Sequence, residues 1–349
     1  MARILYGVMG DAGGHVARSL AIAQQLKGHE IVFVGGGRVA ELAKSGSSVV
    51  AAPVPGTVLN GHRVDTIATI RSGCAALACR RAVVGRLSAV ICEFDPDLIV
   101  SDYEYFLPQA ARRVGRPCIS VDRQHALTHC GYRPPAGHRL SRLLTLGIIR
   151  AMYNAASHYL VCSFAPMQPL DPGLTEVLPP VLRDDVVGIQ ASAGDHAVVY
   201  LRGTPLAWVR DLFAGRRRRY IIYGFDVASE EGNLVFRKNA ADGFLMDLAN
   251  AAYAVTNGGH NVISEALYYG KPLLCFPIGL FYEQLLNAHL LAEAGYGSYH
   301  DVGAGGAAAL DAFETNLQQY QTRVAARPAW DRRAIASRLE ELMASGGTA

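Results

Sequence analysis

The amino-acid sequence predicts an α/β protein built from two doubly wound parallel-sheet domains. Short apolar runs alternate with helical stretches, and this spacing of strand, helix and strand is typical of βαβ units. The chain has 349 residues, which favours two domains, since about 150 residues per domain is usual. Midway, the pattern is interrupted by five prolines, which helices and central strands exclude: Pro166, Pro169, Pro172, Pro179 and Pro180. We interpret residues 165–182 as a linker.

Each half of the chain contains the elements of one such domain. In residues 1–164, strands are predicted at 3–8, 30–34, 98–101, 118–121 and 159–162, with helices at 15–26 and 108–114. The first helix has the period of an amphipathic helix, with apolar residues at positions 16, 20, 23 and 26. In residues 183–329, strands are predicted at 196–201, 219–223, 233–236, 253–256 and 272–276, with helices at 206–213, 243–249, 261–269 and 283–294. A last amphipathic helix is predicted at 332–343.

Composition and charge exclude several classes of protein. Half of the residues are hydrophobic and 18% are charged, which excludes a disordered chain. Lys and Arg number 33 against 30 Asp and Glu, and this net charge of +3 argues against a nucleic-acid partner. No apolar run reaches the roughly 18–20 residues of a membrane span, and the first residues lack the apolar core of a signal peptide. The seven cysteines are scattered without zinc-site spacing, so we expect reduced thiols in a cytoplasmic protein.

The first candidate site is the loop after the first predicted strand, at residues 10–15. Its glycines, which include Gly13 and Gly14, let the backbone approach a ligand and turn into a helix whose N–H groups suit an anion. The spacing differs from the dinucleotide fingerprint, and no acidic residue ends the second strand, so a dinucleotide cofactor is not expected. His15 in the first helical turn favours a ligand-facing role, and a tight turn that binds nothing is the alternative.

The second candidate site is Asp102, which follows a buried apolar strand. Ligand crevices open at the carboxyl ends of parallel strands, and His15 leaves the same edge of the sheet. A carboxylate in this position can orient an imidazole and raise its basicity. Asp102 could instead cap the next helix, and Glu104 could take its role. The segment Asp122-Arg123-Gln124-His125 follows the end of another strand and is expected to line the same pocket.

The third and longest site begins where a predicted strand of the second half ends. Gly258 and Gly259 leave room there for a diphosphate on the N-terminus of the next helix. Glu265 lies one turn along that helix and suits a pair of sugar hydroxyls, and Glu283 with Gln284 opens the following helix. The crevice would therefore hold a diphosphate, a ribose and a hexose.

The segment from residue 256 to residue 288 resembles the donor-site signature of GT-B glycosyltransferases. It looks like both the UDP-glycosyltransferases of small molecules and the peptidoglycan N-acetylglucosaminyltransferase of family 28. The loop with Gly14 and His15 resembles their acceptor-side loop, and the strand ending at Asp102 is similar to the one that supplies the aspartate partner of their catalytic histidine. The resemblance implies a GT-B fold, in which two Rossmann-like domains face a central cleft. It also implies that the C-terminal helix, in residues 330–349, packs back on the N-terminal domain.

Residue by residue, the resemblance implies that His15 is the catalytic base and that Asp102 is its partner. The implied donor-binding residues are Gly258, Gly259 and Asn261 for the diphosphate, Glu265 for the ribose, and Glu283 and Gln284 for the transferred sugar. We assign four further residues to the acceptor side: Gly13, Gly14, Glu104 and His125.

The sequence departs from the small-molecule UDP-glycosyltransferases at three donor-site positions. Asn257 stands where they have histidine, His260 where they have tryptophan, and Val262 where they have serine or threonine. One phosphate contact is therefore missing from the expected set. Thr204, in the loop with Gly203, could supply a hydroxyl to the phosphate, and His260 could supply a contact or could pack under the loop instead. We include these residues and Asn257 in the predicted donor site.

We therefore expect an inverting, metal-independent glycosyltransferase that moves a hexosyl or N-acetylhexosaminyl group from a UDP-sugar to a hydroxyl of a lipid, glycan or natural product. No cofactor or metal is expected, because Asp95-Pro96-Asp97, which matches the motif of metal-dependent glycosyltransferases, precedes a strand and lies on the wrong edge of the sheet. The alternatives are a non-hydrolysing UDP-N-acetylglucosamine 2-epimerase and a non-catalytic sugar-nucleotide binder. Residues 139–150 mix arginines with an apolar face, which indicates a buried amphipathic helix or a peripheral contact with the inner face of the membrane.

Overall fold

The framework of the protein consists of two parallel sheets, each with helices packed on it. The computed structural model describes residues 1–11, 13–56, 58–61, 63–238 and 243–345, so the last residues of the predicted C-terminal segment, 346–349, lie outside it. Within the described residues each of the two large sheets has seven strands. The first sheet is wholly parallel, whereas the second has one antiparallel edge strand. The predicted α/β fold with two doubly wound parallel sheets is confirmed.

The strands of the first sheet lie in order β11-β9-β7-β6-β1-β2-β3, so the direction of winding reverses between β1 and β6. Two short antiparallel pairs, β4 with β5 and β8 with β10, lie outside it. In chain order these strands are β1 (Arg3–Val8), β2 (Glu30–Gly35), β3 (Ser48–Ala51), β4 (Leu59–Asn60), β5 (Arg63–Val64), β6 (Leu98–Asp102), β7 (Ile119–Asp122), β8 (Cys130–Gly131), β9 (His158–Cys162), β10 (Gln168–Pro169) and β11 (Thr175–Leu178).

The strands of the second sheet lie in the order β14-β15-β13-β12-β16-β17-β18, so the winding reverses between β12 and β16. These strands are β12 (Ala197–Tyr200), β13 (Tyr220–Tyr223), β14 (Ser229–Glu231), β15 (Leu234–Phe236), β16 (Tyr253–Thr256), β17 (Leu273–Cys275) and β18 (Gly297–Tyr299).

Helices connect the strands and cover the sheets. Those in the first part of the chain are α1 (Gly13–Gln25), α2 (Thr66–Phe94), α3 (Leu107–Arg113), α4 (Ala126–His129), α5 (Arg139–Met152) and α6 (Asp184–Val187), with a 3₁₀ helix at Gly37–Ser45. Those in the second part are α7 (Leu206–Phe213), α8 (Phe244–Ala249), α9 (His260–Tyr268), α10 (Tyr282–Glu293), α11 (Gly306–Thr315), α12 (Leu317–Ala325) and α13 (Ala334–Ala344).

Both faces of the first sheet are buried, which explains why its strands read as continuous apolar runs. Along β1, Ile4 and Tyr6 belong to a core cluster that includes residues of α1 and α13. The intervening Leu5 belongs to the cluster on the other face, which includes residues of α2 and α3. Side chains alternate across a strand, so a run without polar residues supplies both cores.

The last helix, α13, packs on the first sheet although it follows the second sheet in the chain. Its buried residues Ile335, Leu339 and Leu342 join the core cluster of β1 and α1. Arg338 Nε also donates to Glu176 Oε1 at 2.9 Å. This position agrees with the one that the family resemblance implies for the C-terminal helix.

Some elements have no counterpart in the sequence prediction. The 29-residue helix α2 is the longest of the described helices, and the spacing of its buried Val83, Leu87 and Ile91 was the available helical signal. Strand β11 lies in the proline-rich segment interpreted as a linker, where residues 175–178 lack proline and form an edge strand. The domain limits drawn from the sequence stay a prediction. None of the described helices has the length and apolarity needed to cross a membrane.

Candidate active site between the two sheets

The predicted site residues lie where each sheet reverses its winding. In the first sheet Val8 of β1 is opposite Asp102 of β6, and α1 begins at Gly13, just beyond β1. Ala12, in the intervening loop, lies outside the described residues. In the second sheet Tyr200 of β12 is opposite Thr256 of β16. Crevices at such reversal points, beyond the carboxyl ends of the strands, are the usual ligand sites of open α/β sheets.

His15 and Asp102 meet at this edge of the first sheet. His15 Nδ1 lies 2.6 Å from Asp102 Oδ1, which is within hydrogen-bond distance as the sequence predicts. The Asp102 side chain is fully buried, and the His15 side chain is 12% exposed. The contact joins a buried carboxylate to an imidazole through Nδ1, and Nε2 is left for other partners.

A cation absent from the sequence prediction, Arg18, holds Asp102 in its ionised form. Arg18 Nε donates to Asp102 Oδ2 at 2.8 Å, and the Ser19 hydroxyl donates to the same oxygen at 3.1 Å. Burial alone would raise the pKa of Asp102, but the charge of Arg18 and the contact with His15 hold that pKa below its usual range. Arg18 follows His15 by three residues on α1, and this helical spacing was the signal that could have identified it.

The ionised partner decides which nitrogen of His15 can accept a proton. A carboxylate only accepts hydrogen bonds, so Nδ1 of neutral His15 carries the hydrogen and Nε2 keeps its lone pair. Nε2 lies 3.3 Å from Gln124 Nε2. The Tyr103 ring stacks on the imidazole with a centroid distance of 6.1 Å. The His15 ring is therefore held at Nδ1 by Asp102, at Nε2 by Gln124 and on one face by Tyr103.

The loop before α9 brings the second sheet against α1. Gly258 has a φ of +90°, and a Cβ there would lie 2.6 Å from the carbonyl oxygen of Gln284, so the loop requires glycine at this position. Asn261 Nδ2 donates to the carbonyl oxygen of Gly14 at 3.0 Å. A Cβ added to Gly259 would meet no atom within 4 Å, so the backbone at the start of α9 is open to a ligand.

Asn257 braces two strand ends instead of presenting its side chain to the cleft. Its Oδ1 accepts from the Arg202 N–H at 2.7 Å, and its Nδ2 donates to the Phe276 carbonyl at 3.1 Å. Because the backbone engages both ends of this amide, Asn257 braces the loops beside the cleft, and its place in the donor site stays a prediction. Gly203, with a φ of +70°, turns the chain after β12, and Thr204 beside it is buried.

His260 is the first residue of α9 and is 6% exposed. Neither of its ring nitrogens has a hydrogen-bond partner in the part of the chain that the structure describes. Burial lowers the pKa of His260 well below its usual range, and the charges of Arg123 and Arg18 act in the same direction. The ring packs near Phe164, with a centroid distance of 5.6 Å. Both predicted alternatives, a phosphate contact and packing under the loop, remain compatible with a neutral imidazole in this place.

The carboxylates expected at the donor already have protein partners. Arg183 Nη2 donates to Glu265 Oε1 at 3.0 Å, and Glu265 is 7% exposed. Burial raises the pKa of Glu265, and the charge of Arg183 opposes this rise. Gln124 Nε2 donates to Glu283 Oε2 at 2.9 Å, whereas Gln284 Oε1 accepts from a backbone N–H of the preceding loop at 3.2 Å. Glu283 therefore faces the first sheet, and Gln284 braces its own loop.

Two residues predicted for the acceptor side are almost fully buried. Glu104 is 4% exposed, and its carboxylate accepts from the Leu107 N–H at the start of α3. Burial raises the pKa of Glu104 to about 7, although backbone N–H groups oppose the rise. His125 is 2% exposed, with Nδ1 2.6 Å from Asp122 Oδ2 and Nε2 3.0 Å from the Tyr153 carbonyl oxygen. Protein atoms engage both ring nitrogens of His125, and its role on the acceptor side stays a prediction.

The turn after β7 contributes two further side chains, Arg123 and Gln124, from the segment that the sequence predicts to line the pocket. Their contacts with the second half of the chain were not predicted. Gln124 reaches both His15 and Glu283. Arg123 Nε donates to Asn287 Oδ1 at 2.9 Å, and Asn287 Nδ2 donates to the Gly258 carbonyl oxygen at 3.1 Å. These contacts join the first sheet to the loop before α9. The sequence signal for these two residues is the position of the turn, which directly follows a strand at the same carboxyl edge of the sheet.

The structure also describes the aspartates of the Asp95-Pro96-Asp97 motif. Asp97 Oδ2 accepts from the Arg3 N–H at 2.7 Å, and Asp95 pairs with Arg116 at 2.8 Å. Both aspartates precede β6 and thus lie at the sheet edge opposite His15. Within the described ranges, no group of three or more His, Cys, Asp or Glu side chains could hold a metal ion.

The chain matches a known protein family. The sequence model described as glycosyl transferase family 1 matches residues 2–318, which span both large sheets. The chain belongs to glycosyl transferase family 1. It is therefore a glycosyltransferase, as the sequence predicts. This assignment favours glycosyl transfer over the epimerase alternative.

Known proteins resemble this glycosyltransferase along nearly its whole length. An uncharacterized glycosyltransferase of Methanosarcina acetivorans is 24% identical over 325 residues, which is 84% of each chain. The structure of Arabidopsis thaliana UGT89C1 complexed with UDP has a TM-score of 0.65 at 16% identity, covering 99% of this chain and 100% of that one. MurG of Acinetobacter baumannii has a TM-score of 0.64 at 16% identity, with the same two coverages. The predicted GT-B fold is confirmed.

Glu104 predicts a pH-dependent stability. Its folded pKa of about 7 lies above the ordinary value of 4.5, so the folded state binds this proton more tightly than the unfolded chain. The contribution of Glu104 to the unfolding free energy is therefore expected to fall by up to about 3 kcal/mol as pH rises from about 4.5 to about 7, and then to level off. Glu104→Gln should lack this decline, as measured by urea unfolding at pH 5 and pH 8.

The control is Glu93→Gln, at an exposed position on α2. Its stability should follow the wild-type pH dependence. Parallel curves for the wild type and Glu104→Gln would contradict the raised pKa of Glu104.

Proposed function

We propose that this glycosyltransferase moves a hexosyl or N-acetylhexosaminyl group from a UDP-sugar to an acceptor hydroxyl, with inversion and without a metal. The observation that carries the proposal is the pairing of His15 with Asp102, at 2.6 Å, on the side of the cleft opposite Glu283. A base in the first half then faces a sugar-binding carboxylate in the second. The acceptor would be a hydroxyl of a lipid, glycan or natural product.

In the proposed reaction, Nε2 of His15 takes the proton of the acceptor hydroxyl. The hydroxyl oxygen forms a bond to the anomeric carbon while the bond from that carbon to the β-phosphate oxygen breaks, and UDP leaves with the electron pair. Attack from the face opposite the leaving group inverts the anomeric configuration. Asp102 holds the ring and stabilises the imidazolium that forms, and general-base help of this kind contributes roughly 10²–10⁴-fold in rate.

The donor is proposed to lie along α9. The open backbone at Gly259 and the N-terminus of α9 suit a diphosphate, whose negative charge grows as the sugar departs. Glu265 is proposed to bind the ribose hydroxyls, with Arg183 as its charge partner. UDP is proposed as the nucleotide, as in the UGT89C1 complex, and dTDP, which is bound in the VinC complex, is the alternative. Because N–H groups at the start of α9 would assist the departure of UDP, transfer activity in excess chelator should equal transfer activity without chelator. Loss of activity in chelator that magnesium or manganese restores would contradict the metal-free mechanism.

The first mutational prediction from the proposed function concerns the donor carboxylate. Glu265→Ala removes charged hydrogen bonds, each worth about 1.5–3 kcal/mol, so affinity for UDP should fall about tenfold or more. Isothermal titration calorimetry with UDP measures the effect. Glu293→Ala, on the neighbouring α10, is the matched control and should bind like the wild type. Equal affinity of the wild type and Glu265→Ala for UDP would remove α9 from the donor site.

The second prediction concerns the base. His15→Ala should keep UDP-sugar affinity within about twofold, because the donor contacts lie mainly in the other half, and should lower transfer by roughly 10²–10⁴-fold. Transfer is measured as labelled sugar moved from a UDP-sugar panel to acceptors in a cell extract, with products identified by mass spectrometry. His289→Ala is the control histidine, on α10 and paired with Glu293.

The outcomes separate the alternatives. Loss of UDP-sugar binding in His15→Ala would contradict the division of labour between the two halves, and full transfer activity would exclude His15 as the base. Asp102→Asn is a less selective test, because it also leaves the buried Arg18 without its carboxylate partner and is expected to lower stability.

We further propose that the enzyme works in the cytoplasm at an anionic membrane surface. All seven cysteines are free thiols, as expected in a reducing compartment. Leu140, Leu143 and Leu144 on α5 are 68%, 65% and 48% exposed. Residues 131–152, which include α5, contain four arginines and no acidic residue. An exposed apolar face with flanking arginines is typical of helices that bind anionic lipid surfaces.

This membrane-binding surface of α5 continues toward the cleft. The Ser141 hydroxyl on α5 donates to the Leu280 carbonyl oxygen at 3.2 Å, and Leu280 is 51% exposed. Next to Leu280 in the chain, the Gly279 carbonyl oxygen accepts from the Val64 N–H at 3.2 Å. Ile67, which follows Val64 at the start of α2, is 74% exposed. An enzyme bound through this surface would have its cleft next to the lipid headgroups, which favours a lipid-linked acceptor.

The third prediction tests this surface. The double substitution Leu140→Ser and Leu143→Ser should weaken binding to vesicles of equal parts phosphatidylcholine and phosphatidylglycerol by about tenfold or more, since each buried leucine contributes about 1.5–3 kcal/mol. Vesicle co-sedimentation measures it. Met246→Ser is the control, because Met246 is 51% exposed on α8. The proposal would be contradicted if the double variant bound the vesicles as tightly as the wild type. It would also be contradicted if the wild type bound vesicles of phosphatidylcholine alone as tightly as the mixed vesicles.

A further inference from the structure

The side-chain amide nitrogen of Gln124 lies between His15, the proposed base, and Glu283, the proposed sugar-binding carboxylate. Gln124 Nε2 is 3.3 Å from His15 Nε2 and 2.9 Å from Glu283 Oε2. A primary amide carries two N–H groups, so it can donate one hydrogen bond to each partner. The lone pair that would accept the substrate proton is thus already engaged, by a side chain that is also bound to the proposed sugar carboxylate.

The chemistry of the two partners decides the orientation of the amide. Asp102 is ionised, so Nδ1 of neutral His15 is the donor to Asp102 and Nε2 is an acceptor. Glu283 also offers only acceptor atoms when ionised. With the Gln124 oxygen in this place, two acceptors would face it, whereas the NH₂ group satisfies both.

The residues around Gln124 are fixed, while its own side chain is only half-buried. Arg123 is 1% exposed and bound to Asn287, and His125 is 2% exposed and bound to Asp122. The N–H of His125 also donates to Asp122 Oδ1 at 2.8 Å, which closes the turn. The backbone that carries Gln124 is therefore rigid, so its amide has a defined reach into the cleft.

We propose that Gln124 is a positioning residue that shields the base from water until an acceptor hydroxyl replaces its amide. This inference rests on the proposed function. Without the amide, a water molecule could occupy Nε2 of His15 and be activated in place of the acceptor. Its oxygen would bond to the anomeric carbon, its proton would pass to Nε2, and UDP would leave with the electron pair of the broken carbon–oxygen bond. Wasteful hydrolysis of the donor is the reaction that Gln124 suppresses.

The test uses Gln124→Met, which keeps the length of the side chain and removes both donors. The rate of UDP release from a UDP-sugar in water, without acceptor, should rise roughly three- to tenfold, the equivalent of one hydrogen bond, while the Kd for UDP measured by calorimetry stays within about twofold. Adding His15→Asn to this variant should abolish the gain. Gln109→Met is the control, because Gln109 lies on α3 and donates to the Tyr105 carbonyl.

A second measurement needs no donor. In ¹⁵N-histidine-labelled protein at a pH where the ring is neutral, the Nε2 resonance of His15 should move in Gln124→Met toward the position of an unbonded pyridine-type nitrogen. His15→Asn assigns the signal, and Gln109→Met should leave it in place. Gln124→Asn, which is one methylene too short to span both partners, should behave like the methionine variant and serves if that variant does not fold.

The outcomes distinguish the inference from the function beneath it. An unmoved Nε2 resonance, or unchanged hydrolysis with normal UDP affinity, would overturn the shielding role. A loss of UDP affinity in Gln124→Met would make Gln124 a donor-binding residue and would overturn it as well. If the wild type bound no UDP-sugar while the resonance moved as expected, the donor assignment would fail and the contact between Gln124 and the base would stand.

Discussion

The buried carboxylate of Asp102 is the interaction on which the rest of the site depends. An ionised group without exposure is tolerated only when charge and hydrogen bonds compensate it, and Arg18, Ser19 and His15 provide this compensation. All three belong to α1, whereas Asp102 ends β6. The carboxylate therefore sets the position of α1 over the sheet edge, and the tautomer of His15 follows from it.

Across the cleft, the two halves meet through polar contacts. Asn261 bonds to the backbone of Gly14, and Arg123 bonds to Asn287, which in turn holds the carbonyl group of Gly258. The groups proposed to bind the donor are thus tied to the half that carries the base. Hydrogen bonds of this kind are directional, so they specify the relative position of base and donor loop where apolar packing would tolerate sliding.

Burial also decides which of the polar residues near the cleft can contact a ligand. Asn257, Glu104 and His125 have the expected chemistry, yet their hydrogen-bonding atoms are engaged by protein groups. His260, in contrast, is buried with both nitrogens unbonded among the described residues, which costs free energy unless a ligand supplies a partner. Residue type alone does not distinguish side chains that are engaged by protein groups from a side chain, such as His260, that is not.

The sequence by itself determined the α/β class, the boundaries of most strands and the edge at which His15 and Asp102 meet. It could do so because strand period, glycine-rich turns and the carboxyl ends of parallel strands are local properties of the chain. Helix α2 was missed because it is half exposed, and strand β11 because it lies among prolines. The other edge strands of the two sheets, β3, β14 and β18, were missed as well. Only the tertiary structure showed that Arg18 neutralises Asp102 and that Gln124 joins His15 to Glu283, because these contacts link residues up to 159 positions apart and depend on how the two sheets face each other.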